Sequence, residues 1–205
     1  MDRATDPCVK GSLLLGAVVT VRRHRKQGRI SAEQLAARLG GPTLELIDQK
    51  IDIGRWYPMR LFTELLDLDW EVGSSRDAAY MRRQGEQAAD RLFDSGIYQQ
   101  LSYAERADRV LSGRQLERQA KLITTINGTL YNFLRCEVRV REGTGALEIV
   151  YSNAAPFSEA LRHSTEGFMN QINRRQRSKL QWSSRREQPD VIVFTLPLPS
   201  RLAPG

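Results

Sequence analysis

The spacing of the apolar residues changes once along this chain, near residue 128. Before that point they recur three and four positions apart, which is the spacing of one face of an α-helix. After it they alternate with polar residues, as in a half-buried strand, and one further helical stretch interrupts the alternation. The pattern predicts an α+β fold, with N-terminal helices packed on a C-terminal four-stranded antiparallel sheet that has one inserted helix.

The length of 205 residues suits one domain with its own core. We expect a flexible leader at residues 1–9, a single domain at residues 10–197 and a flexible tail at residues 198–205. Within the domain, the helical part covers residues 10–127 and the sheet part covers residues 128–197.

Several helix starts have recognisable signals. Ser31 and Gln34 have the spacing of a capping box, which predicts a short helix after Ser31. Pro58 suits the first position of a helix, because its fixed φ is already helical. Residues 75–77 and residues 102–105 carry polar groups that are typical of two further helix starts.

The strand-rich part is predicted to contain, in order, a strand from Thr129, a turn at residues 143–145, a strand at residues 147–151, a helix at residues 157–175 and strands at residues 180–182 and 191–196. Because side chains alternate along a strand, Leu180 and Trp182 are expected to face the core.

Neither a membrane helix nor a secretory signal is evident. The longest apolar run, residues 13–19, is shorter than the roughly 20 residues that a membrane helix needs. It also precedes a basic run, whereas a signal peptide has its charges first. We therefore expect no membrane span and a cytoplasmic location.

The chain has only two cysteines and two histidines, too few for a disulfide framework or a classical zinc site. It also has no Gly-rich phosphate loop with a following Lys, no paired metal-ligand spacing and no nucleophile elbow. We therefore predict no catalytic residues, no metal site and no enzymatic activity.

The net charge is +7, and two basic clusters stand out. The N-terminal basic run consists of Arg22, Arg23, Arg25, Lys26 and Arg29. The C-terminal basic cluster consists of Arg174, Arg175, Arg177, Lys179, Arg185 and Arg186. Both clusters could contact phosphates, although the first also suits the solvated C-terminal end of a helix. We expect the second to gather at one end of the sheet, as a patch for an acidic partner.

Two adjacent aromatic residues, Trp56 and Tyr57, precede Pro58. We interpret all three as structural anchors, with at least one ring against the helix that follows; a ligand contact is the alternative. Gly85 lies in the middle of a predicted helix, where glycine costs about 1 kcal/mol relative to alanine. We therefore expect another backbone to approach Gly85 closely.

The order of four short motifs resembles a known family. They are Val-Lys-Gly-Ser at residues 9–12, Trp-Tyr-Pro at residues 56–58, the mid-helix Gly85, and Glu-Gly-Phe at residues 166–168. Over residues 9–197, this order resembles an uncharacterised family of myxobacterial paralogues of similar length. That family is distantly similar to the haem-NO-binding, 4-vinyl-reductase-type and TRAPP-like ligand-binding superfamily.

The resemblance implies an α+β fold around an apolar pocket, in proteins that bind haem, lipid-like groups or protein partners. Haem-binding members carry a histidine on a helix before the sheet and a Tyr-x-Ser-x-Arg motif. This chain has no histidine between residues 25 and 162, and its nearest motif, at Tyr151, has Asn and Ala in place of Ser and Arg. His163 is more typical of a surface or hydrogen-bonded residue than of an iron ligand. The expected cofactor is therefore none, with haem unlikely.

These observations indicate a non-enzymatic regulatory or signalling module that binds an apolar small ligand or a protein partner. The alternative is a nucleic-acid-binding protein that uses the two arginine-rich clusters. The sequence leaves the ligand, the partner and the oligomeric state open.

Overall fold

A layer of helices covers one face of a four-stranded antiparallel sheet in the computed structural model, which describes residues 6–94, 113–141 and 145–198. The elements, in chain order, are β1 (Cys8–Lys10), α1 (Gly11–Lys26), α2 (Ala32–Arg38), α3 (Gly41–Asp48), β2 (Trp56–Pro58), α4 (Met59–Ser74), α5 (Ala78–Asp94), α6 (Gly113–Leu130), β3 (Arg135–Val140), β4 (Leu147–Ser152), α7 (Glu159–Arg175), β5 (Ser183–Gln188) and β6 (Val191–Leu196). This arrangement confirms the α+β fold that the sequence predicts.

The four-stranded sheet has the strand order β3-β4-β6-β5, and every neighbouring pair is antiparallel. Its central strands bury one row of apolar side chains beneath the helices. That row comprises Leu147, Ile149, Tyr151, Ile192, Phe194 and Leu196. These residues lie two apart, so their side chains share one face of the sheet and attach it to the helical layer.

Residues 8 and 9, predicted to belong to a flexible leader, instead form part of an ordered strand. Val9 is fully buried and pairs with Tyr57 of β2, and it also makes an isolated bridge to Tyr131. The backbone N–H of Cys8 donates to Asn132 Oδ1 at 2.6 Å. The leader prediction failed here because a three-residue strand gives too short a pattern to recognise in the sequence.

The two adjacent aromatic residues do not share one role. In β2, Tyr57 is buried and Trp56 is 38% exposed, because neighbouring side chains on a strand point to opposite faces. The Tyr57 hydroxyl accepts from the backbone N–H of Asp52 at 3.1 Å, whereas the Trp56 ring lies under Lys10 Nζ. Pro58 precedes α4 as its N-cap instead of occupying its first turn. Of the two rings expected to include at least one anchor, the buried Tyr57 therefore remains the candidate, and Trp56 lies at the surface.

Two predicted strand starts are displaced. The helix α6 continues to Leu130, and the backbone N–H of Tyr131 still bonds the carbonyl of Asn127, so the strand expected from Thr129 begins only at Arg135. Residues 180–182 precede β5, because the side-chain amide of Asn170 takes both backbone groups of Trp182. Trp182 is nevertheless buried, as expected.

The predicted capping box is confirmed, since Ser31 and Gln34 exchange both of its hydrogen bonds. Ser75, by contrast, ends α4 in a left-handed conformation and does not begin α5.

Some predictions lie outside the described residues. They concern the start signal at residues 102–105, part of the turn at residues 143–145 and residues 199–205. In the described part of the chain, no helix is long and apolar enough to cross a membrane.

The helices α5 and α7 cross in backbone contact at two glycines. A Cβ placed on Gly85 would lie 1.8 Å from the carbonyl oxygen of Ser164, and one on Gly167 would lie 2.0 Å from that of Arg82. Arg82 Nε also pairs with Glu166 Oε1 at 2.5 Å beside the crossing. Glycine destabilises the middle of a helix. The close approach of the α7 backbone at Gly85 explains why glycine is nevertheless found there.

Replacing Gly85 by alanine should therefore destabilise the protein by about 1–3 kcal/mol or more, because the methyl group overlaps the backbone of α7. Gly128 in α6 is the matched control, since a Cβ there meets nothing within 4 Å, and Gly128→Ala should stabilise by up to about 1 kcal/mol. Urea unfolding measures both changes. Equal effects of the two substitutions would show that the crossing is looser than described.

Candidate functional site

A cavity of about 460 Å³ lies between the helices and the sheet, in the size range of small-molecule sites. Side chains from α1, α4, α5, α6, α7 and β4 line it. Most of its apolar wall comprises Leu13, Ala17, Phe62, Leu66, Met81, Ala88, Leu92, Ile123, Ile126, Leu130, Leu161 and Phe168. The cavity therefore suits a ligand with a large apolar surface.

Small residues on two helices make room for this cavity. Gly16 and Ala17 line it from α1, and Ala88 lines it from α5. A Cβ on Gly16 would meet no atom within 4 Å, so the missing side chain leaves open space instead of a close contact. Gly16 is itself exposed, so the volume reaches the surface at this part of its wall and a ligand can enter there.

One buried carboxyl group joins three helices at the cavity wall. Asp69 of α4 lines the cavity, and its Oδ1 lies 2.7 Å from His24 Nε2 of α1 and accepts from the Tyr80 hydroxyl of α5 at 2.8 Å. His24 and Asp69 are only 2% and 3% exposed. Burial, followed by the bond to Asp69, raises the pKa of Tyr80 and keeps its hydroxyl a donor. We call His24, Asp69 and Tyr80 the carboxyl hub.

A second polar group lies on the sheet side of the cavity. The amide of Asn127 in α6 donates to the hydroxyl of Tyr151 in β4, and Tyr131 lines the cavity beside them. All three side chains are buried. We call Asn127, Tyr131 and Tyr151 the tyrosine group.

The sequence analysis missed both polar groups, although it contained a signal for the first. His24 follows Val21 by three positions on the apolar face of α1, and Asp69 follows Leu65 by four on the apolar face of α4. An ionisable residue on a buried helix face needs a partner, but the sequence does not reveal which one. Tyr131 carries no comparable signal.

His163 does not line the cavity. Its ring packs against Trp70 with 5.7 Å between the centroids, and its Nε2 lies 3.2 Å from a guanidinium nitrogen of Arg162. Burial, followed by the charges of Arg162 and Arg82, lowers the pKa of His163. These contacts give the imidazole a packing role on the far side of α7.

Acids from elsewhere in the chain neutralise much of the C-terminal basic cluster. Arg174 pairs with Glu86 and Arg175 with Asp90, each at 2.7 Å. Arg186 pairs with Glu159, and Arg185 pairs with Glu187. Only Arg177 and Lys179 are exposed without an ion pair to a described acid. The chain has no acid between residues 167 and 186, but acids outside that stretch pair with most of the cluster.

The expected gathering of these charges at one end of the sheet is wrong. Arg186 donates to the carbonyls of Phe157 and Ala154 at the start of α7, whereas Arg174 and Arg175 lie in its last turn. The 17 residues of α7 separate these ends by about 25 Å at 1.5 Å per residue. The separation arises because the chain turns back after α7 and β5 runs towards the start of that helix.

The N-terminal basic run forms the end of α1, where cations complement the helix dipole. Arg22 donates to the carbonyls of Ile47 and Gln49, and Arg25 pairs with Asp48 at 2.7 Å. Arg23, Lys26 and Arg29 are exposed. Two of the five cations therefore hold the C-terminal end of α3, and the arrangement gives nucleic-acid binding no specific support.

A larger surface cleft of about 590 Å³ lies outside the helical layer. Its lining is mostly polar, with Arg29, Gln34, Arg38, Glu71 and Arg76 around it, and Arg38 already pairs with Glu71 at 2.9 Å. Ligand sites are mainly apolar with a few placed polar groups, so the smaller internal cavity is the better candidate.

Fold and cavity together place the chain among α+β domains that have a cavity between a helical layer and an antiparallel sheet. No family model matches the chain, and no curated protein matches its sequence. The structural comparison, however, finds H-NOX proteins over nearly the full length. The chain is thus distantly similar to the H-NOX superfamily, as the resemblance in the sequence predicts.

Three solved structures illustrate the similarity. An iron(II) unliganded H-NOX protein from K. algicida gives a TM-score of 0.59 at 13% identity, over 94% of this chain and 98% of that chain. A Cs H-NOX variant gives a TM-score of 0.59 at 10% identity, over 96% of this chain and 100% of that chain. A structure described as probing haem distortion in the H-NOX family gives a TM-score of 0.55 at 10% identity, over 94% of this chain and 96% of that chain.

These structures contradict the prediction that the chain takes no cofactor, because the proteins that share its fold are described with iron(II) or haem. The apolar part of the described cavity lining suits the ring of a haem. It contains no histidine, but the thioether of Met81 lines it, and methionine is one of the side chains that hold haem iron. Arg91 adds an exposed cation for a carboxylate. Among the residues described, no group of three or more His, Cys, Asp or Glu could hold a free metal ion.

Removing the carboxyl of Asp69 should be strongly destabilising. Asp69→Ala leaves His24 and Tyr80 buried without their shared acceptor, and breaking such a buried pair costs about 3–5 kcal/mol. Tyr80→Phe, which loses one bond, should cost about 1–3 kcal/mol. Asp48→Asn, at an exposed pair, is the control and should leave the melting temperature unchanged. If Asp69→Ala changes the free energy of unfolding in urea only slightly, the stabilising role assigned to the carboxyl hub is contradicted.

Glu159 should contribute a pH-dependent part of the stability. Burial opposes its ionisation, but hydrogen bonds from Arg186 and Arg162 hold the pKa of Glu159 below its usual 4.5. A depressed pKa stabilises the folded state above the unfolded value and loses that stabilisation as the pH falls through the folded value. The difference in unfolding free energy between the wild type and Glu159→Gln should therefore shrink below pH 4.5. A difference independent of pH would refute this assignment.

Proposed function

We propose that the chain is a non-enzymatic, ligand-binding regulatory domain of the cytoplasm that holds an apolar cofactor in its internal cavity, with haem as the candidate. The observation that carries the proposal is the largely apolar volume of about 460 Å³ between the helices and β4. The similarity to H-NOX structures supports haem as the candidate.

The apolar side chains would contribute most of the binding free energy, because covering the ring removes apolar surface from water. Met81 of α5 offers a thioether to an iron, and Arg91 on the same helix offers a cation to a carboxylate. Haem, when bound, supplies an iron centre for ligand binding or electron transfer. The protein excludes water from this centre through Phe62, Leu66 and Phe168.

The regulatory part of the proposal rests on the carboxyl hub. Asp69 both lines the cavity and bonds residues of α1 and α5. A group that enters the cavity beside Asp69 would change the geometry of these bonds, and α1 would move with His24. The exposed end of α1 would then present a different surface to a protein partner.

Titration of the purified protein with haemin tests the proposal. The wild type should bind one haemin, with a shifted Soret band. Gly16→Leu should weaken binding at least about tenfold, because its side chain enters open space in the cavity. Gly128→Leu is the matched control, since it adds the same side chain to α6 away from the cavity, and it should bind like the wild type.

Iron-free protoporphyrin separates the contribution of the ring from that of the iron. Binding of both molecules would show that the apolar wall dominates, and binding of haemin alone would show that an iron ligand does. If neither binds, or if Gly16→Leu and Gly128→Leu bind haemin equally, then the cavity is not a haem site.

A further inference from the structure

The polar surface cleft differs in its chemistry from the internal cavity. It lies between the end of α1, the helix α2 and the turn that follows α4. Its volume of about 590 Å³ is within the range of small-molecule sites. Only Ile30 and Val72 contribute apolar side chains, and the other lining residues are polar or charged. Such a lining suits a charged molecule that has only a small apolar part.

Positive charge exceeds negative charge on the lining of this cleft. Three arginines, Arg29, Arg38 and Arg76, line it together with one acid, Glu71. Arg38 takes one oxygen of that carboxylate at 2.9 Å, and Arg76 lies 3.9 Å from the other oxygen. Arg29 is exposed and forms no ion pair with an acid in the described part of the chain. The lining therefore keeps a surplus of two positive charges.

Arg76 reaches the cleft from a strained backbone position. Its φ is +69°, and that of the preceding Ser75 is +52°, in the left-handed region that residues with a Cβ seldom adopt. Its guanidinium carbon lies 5.7 Å from the centroid of the Trp70 ring, which helps to position the cation. Glycine would adopt this backbone conformation without the steric cost. Strain of this kind is typical of functional sites, and here it adds a cation to a cleft that already has two.

We propose that this surface cleft binds a small molecule carrying a phosphate monoester, with the guanidinium groups of Arg29, Arg38 and Arg76 around the phosphate. A phosphate monoester carries about 1.5 to 2 negative charges at pH 7, which matches the surplus of positive charge. Guanidinium groups also donate paired hydrogen bonds to phosphate oxygens. The side-chain oxygen of Gln34 accepts within the capping box, so its amide hydrogens are left to donate to the ligand.

This site is separate from the one proposed for the cofactor. The cleft and the internal cavity share no lining residue, so the inference goes beyond the proposed function and does not depend on it. The loss of either ligand would leave the other site intact.

A nucleic-acid strand fits the cleft less well than a single phosphate group. Strand binding uses a series of cations along neighbouring phosphates. The other exposed cations of the N-terminal basic run, Arg23 and Lys26, do not line the cleft. The three arginines instead surround one concave space.

Isothermal titration calorimetry of the purified protein tests the inference with four probes. They are inorganic phosphate, adenosine 5′-monophosphate, adenosine and a single-stranded oligonucleotide. The wild type should bind the first two and should not bind adenosine. Equal affinities for phosphate and the monophosphate would show that the phosphate group alone is recognised, and a higher affinity for the monophosphate would show that the cleft also contacts the organic part.

Arg76→Gly and Arg177→Gly form a matched pair of variants. Arg177 is also an exposed arginine with a left-handed backbone, at φ +58°, but it follows α7 and lines neither the cleft nor the internal cavity. Both variants lose one positive charge and relieve the same kind of strain, so both should melt at the wild-type temperature or above. Only Arg76→Gly should weaken phosphate binding, by about tenfold, as expected for one lost hydrogen bond to a charged group. Haemin binding should be the same in both variants and in the wild type.

Four results would overturn the inference. The first is that neither phosphate probe binds the wild type at millimolar concentration. The second is that Arg76→Gly binds phosphate like the wild type, or loses no more affinity than Arg177→Gly, which would assign the effect to net charge. The third is that adenosine binds as tightly as its monophosphate. The fourth is that the oligonucleotide binds more tightly than the monophosphate, which would identify a nucleic-acid surface instead.

Discussion

The backbone contact between α5 and α7 is the constraint on which the rest of the structure depends. Gly85 and Gly167 allow the two helices to touch through their main chains, and both helices contribute walls to the cavity. A side chain at either glycine would push the helices apart and change the cavity's width. The ion pair between Arg82 and Glu166 also joins the two helices beside this contact. The cavity's dimensions are thus set by two residues that do not line it.

Two polar side chains on the cavity wall, Asp69 and Tyr131, are held in place by contacts with other elements. Asp69 is bonded to His24 and Tyr80 from two other helices, so the acceptor it shows to the cavity is fixed in place. Tyr131 is fixed by ring packing and backbone bonds. An apolar volume with a fixed acceptor and a fixed donor can select the orientation of a ligand as well as its size.

The fold was largely predictable from the sequence, but the cavity was not. The change of period near residue 128 and the capping box at Ser31 are local patterns, and local patterns survive folding. Which of the two adjacent aromatics faces the core could not be predicted, because they lie on a three-residue strand whose side chains point to opposite faces. The C-terminal arginines were misjudged because their acids lie on distant segments, as Glu86 does for Arg174. The cavity joins residues from five helices and a strand, so it exists only in the tertiary packing.

The central claim is that the internal cavity is a ligand site. Native mass spectrometry of protein purified from its own host measures this most directly, because it weighs the folded chain together with whatever it has retained. The account predicts one small apolar molecule per chain in the wild type and its loss in Gly16→Leu. A wild-type mass equal to that of the bare chain, under conditions where a control haem protein keeps its haem, would contradict it.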